Sequence, residues 1–152
     1  MLAAGRTAAD ARSAMVRSLF DRPPMTTART PIHSDAAPEA IGPYSQAIRH
    51  GDFLFCSGQI PLDPSTGELV KQDAPGQARR CLENLEAVCL AAGTSLRRAV
   101  RLTVYLTDIG DFERVNEAYA EFFEADPPAR VAIAVAALPR GADVEIDAIV
   151  AV

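Results

Sequence analysis

Two apolar runs close the chain, Val131–Leu138 and Val144–Val152, and they constrain it more than any other feature. Pro139-Arg140-Gly141-Ala142 joins them, which is turn chemistry, and both are strand-length and rich in Val, Ile and Ala. A period of two puts Glu145 and Asp147 on one face of the second strand, with Val144, Ile146 and Ala148 on the other. Arg130 opens the first strand. With the apolar face buried, the acidic face looks at water or into a cleft. An Arg at a strand mouth and a Glu on the neighbouring strand are placed to line one pocket. The Arg would hold a carboxylate in its two-pronged fork and the Glu would handle a proton or a water. Spacing alone also fits a commoner arrangement, an exposed ion pair worth only about 0–1 kcal/mol.

The chain has 152 residues, 49% of them hydrophobic, enough for one domain with its own core. A formal net charge of −5 disfavours general binding to a phosphate backbone, so no nucleic-acid partner is expected. No apolar run approaches the roughly 18 residues of a membrane helix, so no membrane partner is expected. Cys56, Cys81 and Cys89 form no CxxC motif. On a helix Cys81 and Cys89 would lie roughly 12 Å apart, too far for a disulfide. An odd number of apolar-flanked cysteines predicts buried thiols in a reducing compartment, hence the cytoplasm. His33 and His50 offer no zinc spacing. GxSxG, Walker and GxGxxG motifs are absent from the sequence.

Residues 1–31 differ from the rest. They carry five arginines (6, 12, 17, 22 and 29) and two aspartates, and they end with Pro23-Pro24 and Pro31. The segment reads as a disordered extension, or as a non-native one from an upstream start codon with the working start at Met25, rather than as an Arg-rich transit peptide. The domain is expected to span 32–152. After an irregular lead-in, Ala47-Ile48 and Phe53–Ile60 form a hairpin around His50-Gly51-Asp52. Gly58 inside the second strand predicts a bulge or a close backbone approach. Asp73–Ala92 is helical: its apolar positions step by three and four, Asp73 suits the N-cap, Pro75 the first turn and Gly93 the stop. Cys81 and Cys89 then face the core. Val100–Thr107 reads as a strand buried on both faces. Asp111 is placed to cap a helix over Phe112–Glu124, with Phe112, Val115, Tyr119, Phe122 and Phe123 as its apolar face and Asn116 on the shoulder. The order β-β-α-β-α-β-β predicts an α+β fold with both helices on one face of a mixed sheet. The other face is left apolar, which predicts self-association.

Six motifs in order carry a family resemblance: Ile41-Gly42-Pro43-Tyr44-Ser45-Gln46-Ala47, Ser57-Gly58-Gln59-Ile60-Pro61, Ala91-Ala92-Gly93, Asp111-Phe112 with Val115-Asn116, Pro128-Ala129-Arg130, and Val144-Glu145-Ile146. Together they resemble the reactive-intermediate deaminase (Rid, YjgF-type, endoribonuclease L-PSP-like) family over about residues 32–152. The resemblance implies a chorismate-mutase-like sandwich, assembled as a homotrimer through the uncovered sheet face, with sites between subunits. It implies hydrolysis of 2-imino and 2-enamino acids such as 2-aminoacrylate, with no metal and no cofactor. Arg130 would bind the substrate carboxylate. Glu145 would position or activate the attacking water, with a pKa raised by burial. Tyr44, Ser57, Gly58 and Asn116 would line the site, while Asp147 stays a solvated neighbour. Two positions depart from the family pattern: Ala132 stands where Cys is common, and Pro127 where the residue is usually aromatic or bulky. Two other functions fit less well. One is a non-catalytic trimer that binds small carboxylates. The other is an RNA-directed activity, whose only support is Arg79, Arg80, Arg97, Arg98 and Arg101, a group that also fits a solvated helix face and loop.

Overall fold

In the computed structural model of the chain, residues 28–123 and 125–152 are described. The extension expected over 1–31 lies mostly outside them. Its last residues do not: β1 (Arg29–Ile32) is a strand, so the sheet begins before the expected boundary at Ile32. The lead-in that follows is irregular, as expected, and the buried side chain of Gln46 ties it down. Ser34 N donates to Gln46 Oε1 (2.7 Å), and Gln46 Nε2 donates to Pro38 O (2.8 Å). β2 (Ala47–His50) and β3 (Phe53–Gln59) form the expected hairpin.

α1 (Ala74–Ala91) begins and ends where its sequence signals lie. The Asp73 side chain accepts from Gly76 N at 3.2 Å, one of the amides a helix start leaves without a partner. Gly93 ends the helix at φ +78°, a left-handed conformation that costs a residue without Cβ little. β4 (Ala99–Leu106) follows, then α2 (Phe112–Ala120), β5 (Ala129–Ala134) and β6 (Val144–Ala151).

Four expectations need correction. α2 ends at Ala120, four residues short of Glu124, which lies outside the described residues. Asp111 makes no side-chain cap, because a 3-10 turn over Ile109–Asp111 precedes α2; Asp108 caps that turn, accepting from Gly110 N at 2.7 Å. The first C-terminal strand stops at Ala134 rather than Leu138. β4 is not buried on both faces along its length, since Val100 is 47% exposed.

The sheet order is β1-β2-β3-β6-β4-β5. Among the described residues only β4 and β5 run parallel, the crossover between them being α2. Alternation sorts the residues. Leu54, Leu102, Val104, Leu106, Val144, Ile146 and Val150 lie buried in one cluster with Leu82, Leu85 and Val88 of α1 and Val115 of α2. Both helices therefore cover one face, as their apolar stripes predict. On the uncovered face Phe53, Phe55, Val131 and Ile133 remain 43%, 45%, 37% and 42% exposed. Cys56, Cys81 and Cys89 are buried free thiols, as read from their apolar neighbours.

Candidate functional site

The candidate site residues fall into two halves that lie on opposite faces of the sheet. Glu145, in register with Tyr105 of β4, points to the uncovered face. So does Asp147, in register with Thr103. The alternation read from the sequence is correct there. Arg130 pairs with Leu102, a residue buried beneath the helices, so its side chain leaves from the covered face. β4 also separates β5 from β6. Arg130 and Glu145 are thus neither on neighbouring strands nor able to form the ion pair that their spacing allowed.

The first half is a groove of about 390 Å³ lined by Ile41, Tyr44, Ser57, Gly58, Ile60, Pro139 and Glu145. Tyr44, Ser57, Gly58 and Glu145 come together as expected. The ladder between β3 and β6 slips between Cys56 and Gln59, so Gly58 sits in an irregularity, and the Glu145 side chain lies across it. A Cβ on residue 58 would stand 2.0 Å from Glu145 Oε1. Glycine is required there to seat the carboxylate. Ser57 Oγ donates to Ser45 O at 2.7 Å, and Tyr44 Oη accepts from Ile41 N at 3.2 Å. These bonds fix the groove wall on the lead-in that Gln46 holds. Burial raises the Glu145 pKa above the usual carboxylate range, and the charge of Asp147 adds to the rise. Asp147 accepts from the Tyr105 hydroxyl at 2.9 Å, so it is hydrogen-bonded rather than merely solvated.

Gly58→Ala is expected to lower activity without unfolding the chain. The atom in the way is the far end of a side chain, so the cheapest relief is for Glu145 to swing out of its seat. A misplacement of about 1 Å can cost about 10²-fold in rate, so any activity that depends on the seat of Glu145 should fall by that order. The rate and thermal melting, measured side by side, check this; full activity in the variant would contradict the seating role.

The second half lies at the β5 edge. The Arg130 guanidinium sits over two rings, 4.7 Å from the Tyr119 centroid and 5.6 Å from that of Phe112. No carboxylate or carbonyl pairs with it among the described residues. Phe112, Asn116 and Tyr119 fall at i, i+4 and i+7 on α2, which places Asn116 on the stripe that meets Arg130. A second groove, about 530 Å³, runs beside them along Ile109, Gly110, Phe112, Glu113 and Ala132. The Tyr119 hydroxyl is buried without a partner among the described residues, and burial pushes its pKa up to about 12 despite the opposing charge of Arg130. From sequence, Phe112 and Tyr119 read only as core. Their helical spacing around Asn116 was the available signal. Among the described residues no three His, Cys, Asp or Glu side chains are grouped to hold a metal ion.

A mixed sheet with two helices on one face and a mainly apolar groove holding one carboxylate on the other defines, among the described residues, a small α+β protein. The chain belongs to the endoribonuclease L-PSP family, which includes the Rid proteins: the family model matches residues 34–152. It is 57% identical over 124 residues to protein DfrA of Myxococcus xanthus, covering 80% of this chain and 95% of that one. It is 47% identical over 121 residues to the 2-iminobutanoate/2-iminopropanoate deaminase of Mus musculus, covering 80% and 90%. The crystal structure of E. coli TdcF with bound serine superposes with a TM-score of 0.77 at 43% identity, covering 81% of this chain and 98% of that one.

Proposed function

We propose that this protein is a hydrolytic deaminase that converts 2-imino and 2-enamino acids to 2-keto acids and ammonia. The observation that carries the reading is Glu145: a carboxylate seated on Gly58 in a groove, with its proton affinity raised by burial and by Asp147. A carboxylate with raised proton affinity is a stronger base than an exposed one and is suited to take a proton from water. An imine carbon is electrophilic once its nitrogen is protonated. Water adds to that carbon as Glu145 removes its proton, giving a tetrahedral carbinolamine. Glu145 returns the proton to nitrogen; as the C–N bond breaks, it takes the proton of the carbinolamine hydroxyl, so ammonia leaves and the C=O bond of the keto acid forms. Arg130 holds the substrate carboxylate. Its guanidinium charge is permanent and its donor fork matches two oxygens. Tyr44, Ser57 and the backbone at Gly58 form the wall, and Asn116 flanks the arginine. The names of the mouse and human relatives support this chemistry.

Arg130 and Glu145 reach one ligand only if two copies of the chain meet. The apolar residues of the uncovered face, Phe53, Phe55, Val131 and Ile133, supply a surface for that association. The assembly we propose is a homotrimer, with the β5 edge of one copy against the Glu145 groove of the next.

The RNA-directed reading loses support from the side chains. Arg79 makes a bidentate pair with Glu121, and Arg80 pairs with Glu83, so two of the five basic residues are neutralised. The test of the deaminase reading is a coupled assay in which 2-aminoacrylate, or the imine of another amino acid, is generated in the cuvette. Acceleration of keto-acid and ammonia release above the spontaneous rate is the expected result. No acceleration with several imines, together with tight binding of small carboxylates, would replace the enzyme by a binding protein.

A further inference from the structure

We propose that Phe112 and Tyr119 of α2 are positioning residues: their rings form a cradle that holds the Arg130 fork in its carboxylate-binding orientation. The proposal rests on the deaminase reading for the identity of the ligand, but not for its geometry.

A guanidinium is a flat cation with two faces and an edge, and all five N–H donors lie in the plane of the edge. An aromatic ring attracts the cation through its face. A ring beneath the guanidinium thus restrains it while leaving every N–H free to meet a carboxylate. An acidic partner would do the opposite, occupying the fork that the substrate needs. The chain shows both modes. Arg79 gives its fork to Glu121, with Nε–Oε2 at 2.8 Å and Nη2–Oε1 at 2.6 Å, and Arg140 donates to Gly67 O at 3.0 Å. Arg130 does neither among the described residues; its restraint comes from Tyr119 at 4.7 Å and Phe112 at 5.6 Å.

The cradle is rigid for reasons outside it. Tyr119 is only 6% exposed and packs on Phe123 with ring centroids 4.7 Å apart. Phe112 is half-buried and packs against the main core. Among the described residues the Tyr119 hydroxyl has no hydrogen-bond partner, so packing rather than a hydrogen bond holds the ring. The functional part of Tyr119 is then its π-face. That separates the proposal from a role in which the hydroxyl touches the ligand.

The experiment is titration calorimetry with 2-oxobutanoate, the keto-acid product expected of the reaction, alongside imine-hydrolysis kinetics. Wild type, Tyr119→Phe, Tyr119→Leu and Phe112→Leu are compared after thermal melting shows which are folded. Tyr119→Leu is expected to weaken keto-acid binding about tenfold and raise KM to match, with a smaller effect on kcat, and Tyr119→Phe to stay within about twofold of wild type. Should Tyr119→Leu not fold, Phe112→Leu carries the test, because Phe112 is less buried. Binding unchanged by loss of the ring, or Tyr119→Phe as weak as Tyr119→Leu, overturns the cradle. So does a wild type that does not bind the keto acid. A wild type that binds it with the expected ring dependence yet hydrolyses no imine overturns the deaminase reading and leaves the cradle standing.

Discussion

Glu145→Gln is expected to lower kcat/KM for imine hydrolysis by about 10²–10⁴-fold, the range for loss of a positioned general base. The amide keeps the size and shape that fit over Gly58, so the groove is retained while the proton acceptor is lost. The pH profile gives a second reading of the same group. Burial and Asp147 raise the Glu145 pKa, so the acid limb of wild-type kcat/KM is expected above the usual carboxylate range. Stability moves the other way from activity. A carboxyl whose folded pKa is raised favours folding in its protonated form. That contribution is complete below the unfolded pKa and is lost as pH rises through the folded one. Ionised Glu145 therefore costs stability at neutral pH, and the Gln variant should melt higher than wild type there. The difference should vanish in acid, below the ordinary carboxylate value. A variant that is inactive and less stable at every pH would show that Glu145 holds the groove together rather than working in it.

Arg130→Ala is expected to lower kcat/KM by about 10²–10³-fold, on the basis of two charge-assisted hydrogen bonds to the substrate carboxylate. The loss should sit largely in KM, because the carboxylate is bound in the ground state and in the transition state alike. Arg130→Lys should recover only part of it. The ammonium keeps the charge, and can still sit over the Tyr119 ring, but it has no planar fork to match two carboxylate oxygens. Thermal melting should change little for Lys, since Arg130 makes no ion pair among the described residues. Comparable KM values for wild type and Ala would remove Arg130 from the site.

The parts legible in the sequence were those set by short-range rules. β6 alternates strictly, and its burial alternates with it from Val144 to Ala151. α1 starts at Asp73 and stops at Gly93 because caps and breakers act within a few residues. Gly58 was readable as a close approach, although its partner, Glu145, lies far along the chain. What was not legible was the pairing of strands. Val131–Leu138 and Val144–Val152 flank a short turn and read as neighbours. β4 inserts between them because the crossover through α2 lays β5 parallel to β4 at the sheet edge. That choice is made by helix packing, and it decides the face from which Arg130 emerges. The cap at Asp111 failed for a local reason: Asp108 was an equally good acceptor three residues earlier and took the turn. The family motifs named residues that gather at the groove and at the β5 edge but carried no information about which of them share a face.

The opposite placement of Arg130 and Glu145 gives the proposed assembly a genetic signature. A strain carrying only an Arg130 null allele, or only a Glu145 null allele, would lack every working site. A strain carrying both would not. Where a Glu145-defective subunit presents its intact arginine to the intact glutamate of an Arg130-defective neighbour, one complete site is restored. Two recessive lesions in one gene would then complement each other, and the phenotype would depend on how the subunits mix as well as on what each one encodes.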